Sequence, residues 1–290
     1  MPKSLKYAYN MHKTYSINRI NAAICVVNMT STGGRRLNRR LETHAELKNL
    51  VRQVVADNVL GEVLYGVSKD RVLAEGIALK GGAGLWFRGS GRKSPGDLDF
   101  GMLSDATSEE VAHSLMGVVT RIAQRHDGMR IRKINGHNFS MQLEGHDLVN
   151  IQLQCQNQIV SRPERIAVHV DGVGDFEVSV ISMDEQLAEK IAALGNRQSA
   201  GKRLNDIYDM YFLLGRNARF DLDLVAKKLN TQGVKSTKAA AEEIIIDNVG
   251  DRALSELWDE HTATLPGMTS MATMGYEIID SWFRDTFRKA

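Results

Sequence analysis

Two carboxylates separated by one apolar residue form the strongest chemical signal in this sequence. Asp97 and Asp99 lie in the segment DLDF, in which Leu98 and Phe100 alternate with the two acids. Such alternation predicts a strand, and side chains at positions i and i+2 of a strand point to the same face. Carboxylate oxygens are the ligands that Mg²⁺ prefers, usually together with the phosphates of a substrate. The pair therefore predicts a metal site, although acidic residues also occur at ordinary turns and strand ends.

A glycine pair upstream of these acids predicts a phosphate-binding turn. Gly81 and Gly82 follow the apolar run IALK and precede AGLWF, an order that predicts a strand, a tight turn and the start of a helix. Glycine lets backbone N–H groups approach a phosphate closely, and the first turn of a helix favours anions. The spacing in GGAG differs from the dinucleotide-binding fingerprint, and no G-K-[ST] follows as in a P-loop. A plain turn is the alternative interpretation.

The surrounding segments predict a strand-rich part followed by a helical part. Apolar residues at helical spacing predict helices over 42–60 and, behind a Thr and Ser cap, over 105–128. Short β-rich segments predict strands over 129–134, 137–144, 148–156 and 175–182. Later helices are predicted over 183–197, 203–216, 220–230, 236–250 and 271–287. The first forty residues show no sustained period, which is typical of an extension or a loosely docked arm.

The composition excludes several classes of protein. The chain has 290 residues, 43% of them apolar, and a net charge of +2 that gives no general reason to expect a nucleic-acid or membrane partner. Only two cysteines, Cys25 and Cys155, occur, which favours a reducing compartment, and no apolar run is long enough to span a membrane. No His and Cys spacing suits zinc, and no G-x-S-x-G segment suggests a serine hydrolase. We therefore expect a cytoplasmic globular protein.

The order of strand, Gly-Gly, helix, basic loop and strand with D-x-D resembles the DNA polymerase β-like nucleotidyltransferases. In detail, LKGGAGLWFRG and RKSPGDLDF resemble the AbiEii/AbiGii family of toxin nucleotidyltransferases, which includes the MenT-type toxins. The family typically carries K-G-G-x-x-L, which Lys80 to Leu85 match. It also carries R-x-S-x-D-L-D-F, which Arg92, Ser94 and DLDF match with one additional residue between Ser and Asp.

The resemblance implies a fold and a first set of site residues. The expected fold is α+β: a nucleotidyltransferase-like mixed sheet with flanking helices, followed by a helical C-terminal lobe. We expect a basic N-terminal extension over 1–40, a nucleotidyltransferase core over 41–182 and the helical lobe over 183–290. Asp97 and Asp99 would hold Mg²⁺ or Mn²⁺, and the triphosphate of an NTP would be bound by residues of the turn and the basic loop: Gly81, Gly82, Arg88 and Ser94.

The third metal carboxylate that is common in polymerase β-like enzymes has no obvious counterpart here. The corresponding predicted strand offers Asn150, Gln152 and Gln154 in place of an acid. Asp147 is close in sequence but is expected just before that strand. The metal site could therefore have only Asp97 and Asp99 as carboxylate ligands, or a third ligand from elsewhere in the chain, and both alternatives stay open.

Two downstream segments resemble the family's second set of functional residues. The family has a lysine on one helix and an R-D-x-x-D-L-like segment on the next, and this sequence has Lys190, Arg197, Asp206 and Asp209 in that order. Their spacing predicts that Lys190 and Arg197 share one helix and that the two aspartates share the next. The resemblance implies that Lys190 contacts the triphosphate or metal, that Asp206 is the general base or orients it, and that Asp209 pairs with an arginine. Without the resemblance, such charges are typical of solvated helix faces.

The resemblance implies a toxin of a toxin–antitoxin or phage-defence pair, with an antitoxin as partner. MenT-type relatives act on tRNA 3′ ends, which implies NMP transfer from an NTP to tRNA and inhibition of translation and growth. The first 50 residues carry nine Lys or Arg against two Glu, and RNA phosphates could be bound there by Arg35, Arg36, Arg39 and Arg40. A solvated tail is the alternative. Two other functions stay open: a nucleotidyltransferase for a protein or small-molecule hydroxyl, and a non-catalytic nucleotide-binding module.

Overall fold

The computed structural model describes most of the chain after residue 54. The described residues are 55–90, 96–103, 107–135, 137–143, 145–155, 159–170, 172–262 and 269–287. They form two compact units. The first contains residues up to 154 together with 165–179, and the second contains 155–164 and the residues from 180 onward.

The first unit is built on a mixed sheet, which within the described residues has seven strands. They are β1 (Ile77–Lys80), β2 (Asp97–Met102), β3 (Met129–Asn135), β4 (Asn138–Leu143), β5 (His146–Gln154), β6 (Glu164–Val170) and β7 (Gly174–Val180). Their order in the sheet is β3-β4-β5-β2-β1-β7-β6. Strand β2 is antiparallel to β1 and parallel to β5, and β4 is antiparallel to both β3 and β5. Strand β6 was not predicted, although Ile166, Val168 and Val170 alternate along it.

Four helices of the first unit are described: α1 (55–69), α2 (Arg71–Gly76), α3 (Gly81–Phe87) and α4 (Ser108–Arg125). Helix α4 begins as the sequence predicts, because the Thr107 side chain accepts a hydrogen bond from the Glu110 backbone N–H and donates one to the Glu110 carboxylate. Its buried residues recur at helical spacing and form one apolar stripe: Val111, Leu115, Val118, Val119 and Ile122. The predicted helix over 42–60 is described only from residue 55, where it is confirmed.

Strand alternation sorts the residues of β2 into two kinds. Leu98 and Phe100 are 0% and 1% exposed, so they belong to the apolar core. In the register of β2 with β5 they lie opposite Ile151 and Leu153, which are buried as well. The residues between them therefore point to the other face of the sheet. This alternation fixes the orientation of Asp97 and Asp99, because turning the strand over would expose the aromatic ring of Phe100.

The second unit is helical from residue 183 onward. Its described helices are α5 (Met183–Leu194), α6 (Ala200–Leu214), α7 (Leu222–Thr231), α8 (Lys238–Val249), α9 (Arg252–Thr262) and α10 (Met271–Phe287). Helix α5 packs against α6, α7 and α8, and α10 packs against α6 and α8. The prediction that α5 extends to Arg197 was wrong. It ends at Leu194 because the chain turns at Gly195, whose backbone N–H donates to carbonyls of the last helical turn.

A buried charge cluster stabilises the start of this unit. Glu185, fully buried on α5, accepts hydrogen bonds from the backbone N–H groups of Val160 and Ser161. The Lys228 ammonium lies 2.6 Å from Glu185 and 3.1 Å from Glu189. Burial by itself would raise the pKa of Glu185, but the hydrogen bonds from Lys228 and Ser161 outweigh it and hold the pKa below its usual value. The cluster ties the segment before β6 to α5 and α7.

The α+β fold class is confirmed. The mixed sheet with flanking helices precedes a helical C-terminal part, as expected from the resemblance. Among the helices of the described residues, none is both long enough and apolar enough to cross a membrane.

Candidate active site

The turn between β1 and α3 lies directly beside the second carboxylate. Lys80, the last residue of β1, is paired in register with Asp99 of β2. Gly81 follows in the left-handed conformation, with φ +62°. A Cβ atom built on Gly81 would lie 2.7 Å from Oδ2 of Asp99, closer than side chains normally approach. The backbone conformation therefore favours glycine, and a larger residue would displace the Asp99 carboxylate.

Asp97 and Asp99 lie on one face of β2, as predicted from their spacing. Asp97 is opposite Asn150 of β5, and the Asn150 side-chain amide donates a 2.9 Å hydrogen bond to Asp97 Oδ1. Asp99 is opposite Gln152. Asp99 thus lies between the glycine turn and Gln152, and Asp97 lies beside Asn150. From the sequence, Asn150 was noted only as standing in place of an acid, because its contact with Asp97 depends on the parallel pairing of β2 with β5.

The chemistry of these side chains fits a hard divalent cation. Two carboxylates on one face supply the oxygen ligands that Mg²⁺ and Mn²⁺ favour, and the amides of Asn150 and Gln152 carry oxygen atoms as further neutral ligands. Over the described ranges, no cluster of three or more His, Cys, Asp or Glu side chains could hold a metal. The residues therefore fit a metal that takes its remaining ligands from water and substrate phosphates, as Mg²⁺ commonly does.

Asp147 is engaged elsewhere on the same sheet. The structure places it within β5, whereas we expected it just before the strand. Its carboxylate accepts hydrogen bonds from Ser140 and Gln142 and forms an ion pair with Arg132. The hydrogen bonds from Ser140 and Gln142, together with the Arg132 charge, hold the pKa of Asp147 below its usual value. These three partners give Asp147 a structural role in β3, β4 and β5.

The second set of predicted residues forms a buried charge cluster within the second unit. The Lys190 ammonium lies 2.8 Å from Asp206 and 2.6 Å from Asp209, and Arg197 lies 2.7 Å from the other oxygen of Asp206. The side chains of both aspartates are at most 2% exposed, whereas that of Arg197 is 36% exposed. Burial would lower the pKa of Lys190, but the charges of Asp209 and Asp206 outweigh it and raise the pKa above its usual value. Lys190 is therefore charged at neutral pH.

One detail of this cluster differs from the expectation. Arg197 lies in the connection between α5 and α6 and not on the helix of Lys190. Lys190 forms ion pairs with both aspartates, and Arg197 forms one with Asp206. The pairing of Asp209 with an arginine stays a prediction.

The remaining predicted residues fall into two groups. Gly82 lies in the first turn of α3, and Arg88 ends that helix with a side chain that is almost entirely buried. Ser94 and Arg92, and the four N-terminal arginines Arg35, Arg36, Arg39 and Arg40, lie outside the described residues.

Comparison with protein families shows the family to which the chain belongs. Residues 62–283 match the family described as nucleotidyl transferase AbiEii toxin, type IV toxin–antitoxin system, which is most of the chain. The chain belongs to the AbiEii family. This AbiEii protein is accordingly a nucleotidyltransferase and a toxin of the toxin–antitoxin class, with an NTP as substrate, and the non-catalytic alternative falls away.

Solved structures resemble this AbiEii protein at low sequence identity. JHP933 from Helicobacter pylori has 14% identity and a TM-score of 0.51 over 82% of this chain and 93% of its own. MenT4, a nucleotidyltransferase toxin from Mycobacterium tuberculosis, has 18% identity and a TM-score of 0.42 over 81% and 89% of the two chains. No curated protein sequence matches the chain at a significant level. The likeness to JHP933 supports the fold alone.

Proposed function

We propose that this AbiEii protein transfers an NMP from an NTP to the 3′-terminal hydroxyl of tRNA in the cytoplasm, in a reaction that requires Mg²⁺ or Mn²⁺. The hydroxyl oxygen releases its proton to water and forms a bond to the α-phosphorus, the bond between the α-phosphorus and the oxygen that bridges to the β-phosphate breaks, and pyrophosphate leaves. A tRNA with an additional nucleotide at this position cannot be aminoacylated, so translation and growth stop. A cognate antitoxin would oppose this activity.

The observation that carries the proposal is the pair of carboxylates on one face of β2, of which Asp99 lies beside the glycine turn. Asp97 and Asp99 share one face, and Gly81 leaves room for the Asp99 carboxylate next to the backbone. We assign the metal to Asp97 and Asp99, with Asn150 orienting Asp97 through its hydrogen bond. When bound, the metal neutralises negative charge on the phosphates. This hydrogen bond orients the Asp97 carboxylate before any metal binds, because it limits rotation of the Asp97 side chain.

The triphosphate is assigned to the residues that follow β1. Gly81 and Gly82 have no side chain that would keep a phosphate away from the backbone, and Arg88 and Ser94 add a charge and a hydroxyl. Lys190 is assigned as a second positive charge for the phosphates. Because both oxygens of Asp206 are occupied by cations, we assign to it the orientation of Lys190 and Arg197, rather than proton abstraction.

The N-terminal arginines are assigned to the tRNA backbone. Arg35, Arg36, Arg39 and Arg40 lie in a segment of strongly positive charge, which attracts phosphates without regard to sequence. Replacing all four by glutamine should weaken tRNA binding at low salt and leave NTP binding intact. Unchanged tRNA affinity would remove this assignment.

Incubation with labelled nucleotides tests the proposal. The purified protein is mixed with each α-³²P-labelled NTP, Mg²⁺ and total tRNA, and the products are separated on a denaturing gel. Asp97→Asn removes a metal ligand, and Asp127→Asn, at an exposed carboxylate between α4 and β3, is the matched control. We expect label in tRNA with wild type and Asp127→Asn, none with Asp97→Asn, and none when EDTA is present.

Two results would change the acceptor. Metal-dependent label in a protein band, or pyrophosphate release without labelled tRNA, would indicate a protein or small-molecule hydroxyl as the acceptor.

A third result concerns the metal site. Labelling of tRNA by Asp97→Asn at the rate of wild type would show that the metal is held elsewhere.

A further inference from the structure

A row of side chains connects the proposed metal site with the outer edge of the sheet. Asp97 of β2 is paired with Asn150 of β5, Asn150 with Ser140 of β4, and Ser140 with Arg132 of β3. Residues paired in this way point to the same face of a sheet. Arg132 therefore lies on the face that carries Asp97, three strands away. At about 4.8 Å per strand, the two backbones are roughly 14 Å apart.

A second arginine continues this face along the edge strand. Arg130 is paired with Gln142, whose side chain, like that of Ser140, donates to Asp147, so Arg130 and Arg132 point the same way. Strand β3 is at the end of the sheet order, and both arginines are exposed. Lys133 provides a contrast, because it is also exposed but is paired with the buried Phe139 and therefore lies on the opposite face of the sheet from the two arginines.

The Arg132 side chain is held in place without being sequestered. It forms an ion pair of 3.3 Å with Asp147, and 55% of the side chain remains exposed. Asp147 is in turn fixed by hydrogen bonds from Ser140 and Gln142. An exposed ion pair of this length contributes little to stability, so the other N–H donors of the guanidinium can bind an anion at small cost.

We propose that Arg130 and Arg132 bind backbone phosphates of the RNA acceptor, upstream of the nucleotide that receives the NMP. The proposal rests on the proposed function. A polynucleotide whose 3′ end lies at Asp97 and Asp99 carries a negative charge at each preceding nucleotide, and a row of about 14 Å is the reach of a few nucleotides. A small-molecule acceptor would not extend to β3. Arg130 and Arg132 would bind the phosphate backbone of RNA through its charge, without specificity for the base sequence.

The test compares Arg130→Gln/Arg132→Gln with Lys133→Gln in the full chain. Binding of a fluorescein-labelled tRNA transcript is followed by fluorescence anisotropy from low to moderate salt. We expect the double variant to bind roughly tenfold more weakly at low salt and the slope of log K against log salt to fall by about 1.4, which is two phosphate contacts. Lys133→Gln should retain both the affinity and the salt slope of wild type. In NMP transfer, the KM for tRNA should rise in the double variant by a larger factor than kcat falls.

The outcomes separate this proposal from the proposed function. If wild type labels tRNA and the double variant keeps its tRNA affinity and KM, the surface is refuted and the function stands. A loss per removed charge in Lys133→Gln as large as that in the double variant would refute the surface too, because the effect would then follow net charge alone. If wild type binds no tRNA in the anisotropy assay and labels a protein, both the surface and the RNA acceptor are refuted.

Discussion

Gly81→Ala is the change that most directly tests the geometry of the carboxylate pair. The new Cβ would lie 2.7 Å from Asp99 Oδ2, whereas ordinary contacts begin at 3.4 Å, so the carboxylate must move by roughly 0.7 Å. Misplacement of a reacting group by about 1 Å can reduce a rate about a hundredfold. We therefore expect kcat for NMP transfer to fall roughly 10- to 100-fold.

The same substitution also strains the backbone, and this effect must be measured separately. Alanine in the left-handed region costs about 1–2 kcal/mol. For a unit of this size, each kcal/mol lowers Tm by about 2–4 °C. Gly145→Ala is the matched control, because Gly145 has φ +81° in the same unit and a Cβ there meets nothing within 4 Å. It should lose similar stability and keep its activity.

Activity and stability are measured on the same preparations. Initial rates of α-³²P-NMP transfer at saturating Mg²⁺ give kcat, and thermal unfolding followed by circular dichroism gives Tm. The expected result is a similar decrease of Tm in both variants and a loss of kcat only in Gly81→Ala. Equal kcat values for Gly81→Ala and Gly145→Ala would refute the reasoning, because the displacement of Asp99 would then have no effect on the reaction.

Three further predictions concern side chains with defined partners. Asp97→Asn should lower the rate of NMP transfer by roughly a hundredfold or more. Tm should change little, because Asp97 is an exposed side chain whose hydrogen bond from Asn150 the new amide can keep. A large decrease of Tm would contradict this. Lys190→Ala should lower the free energy of unfolding by about 3–5 kcal/mol in urea titrations, because two buried carboxylates lose their ammonium partner. A loss under about 1 kcal/mol would show that these carboxylates are not buried. Glu185→Gln should lower the free energy of unfolding most at neutral pH and progressively less as the pH falls below about 4. The reason is that the folded-state pKa of Glu185 lies below its usual value, so its stabilising contribution is lost on protonation. A loss of free energy that grows towards acid pH would contradict this.

Local sequence patterns predicted the elements that carry the site because those patterns act over a few residues. The apolar run before Gly81, the alternation in DLDF and the cap at Thr107 each predicted an element that the structure contains. Strand β6 was missed although Ile166, Val168 and Val170 alternate along it. The limit of α5 was misplaced by three residues, because Gly195, Asn196 and Arg197 carry no apolar side chain and periodicity therefore does not locate the helix end.

The sequence by itself determined which residue types were available for the chemistry: two carboxylates on one strand face, a glycine turn before them, and a lysine and two aspartates on later helices. Only the tertiary structure decided the partners of those groups. The hydrogen bond from Asn150 to Asp97, the ion pair of Asp209 with Lys190 and the row from Asp97 to Arg132 all depend on strand register or on helix packing. Register and packing arise from contacts between residues far apart in sequence, and a pattern within one segment carries no information about them.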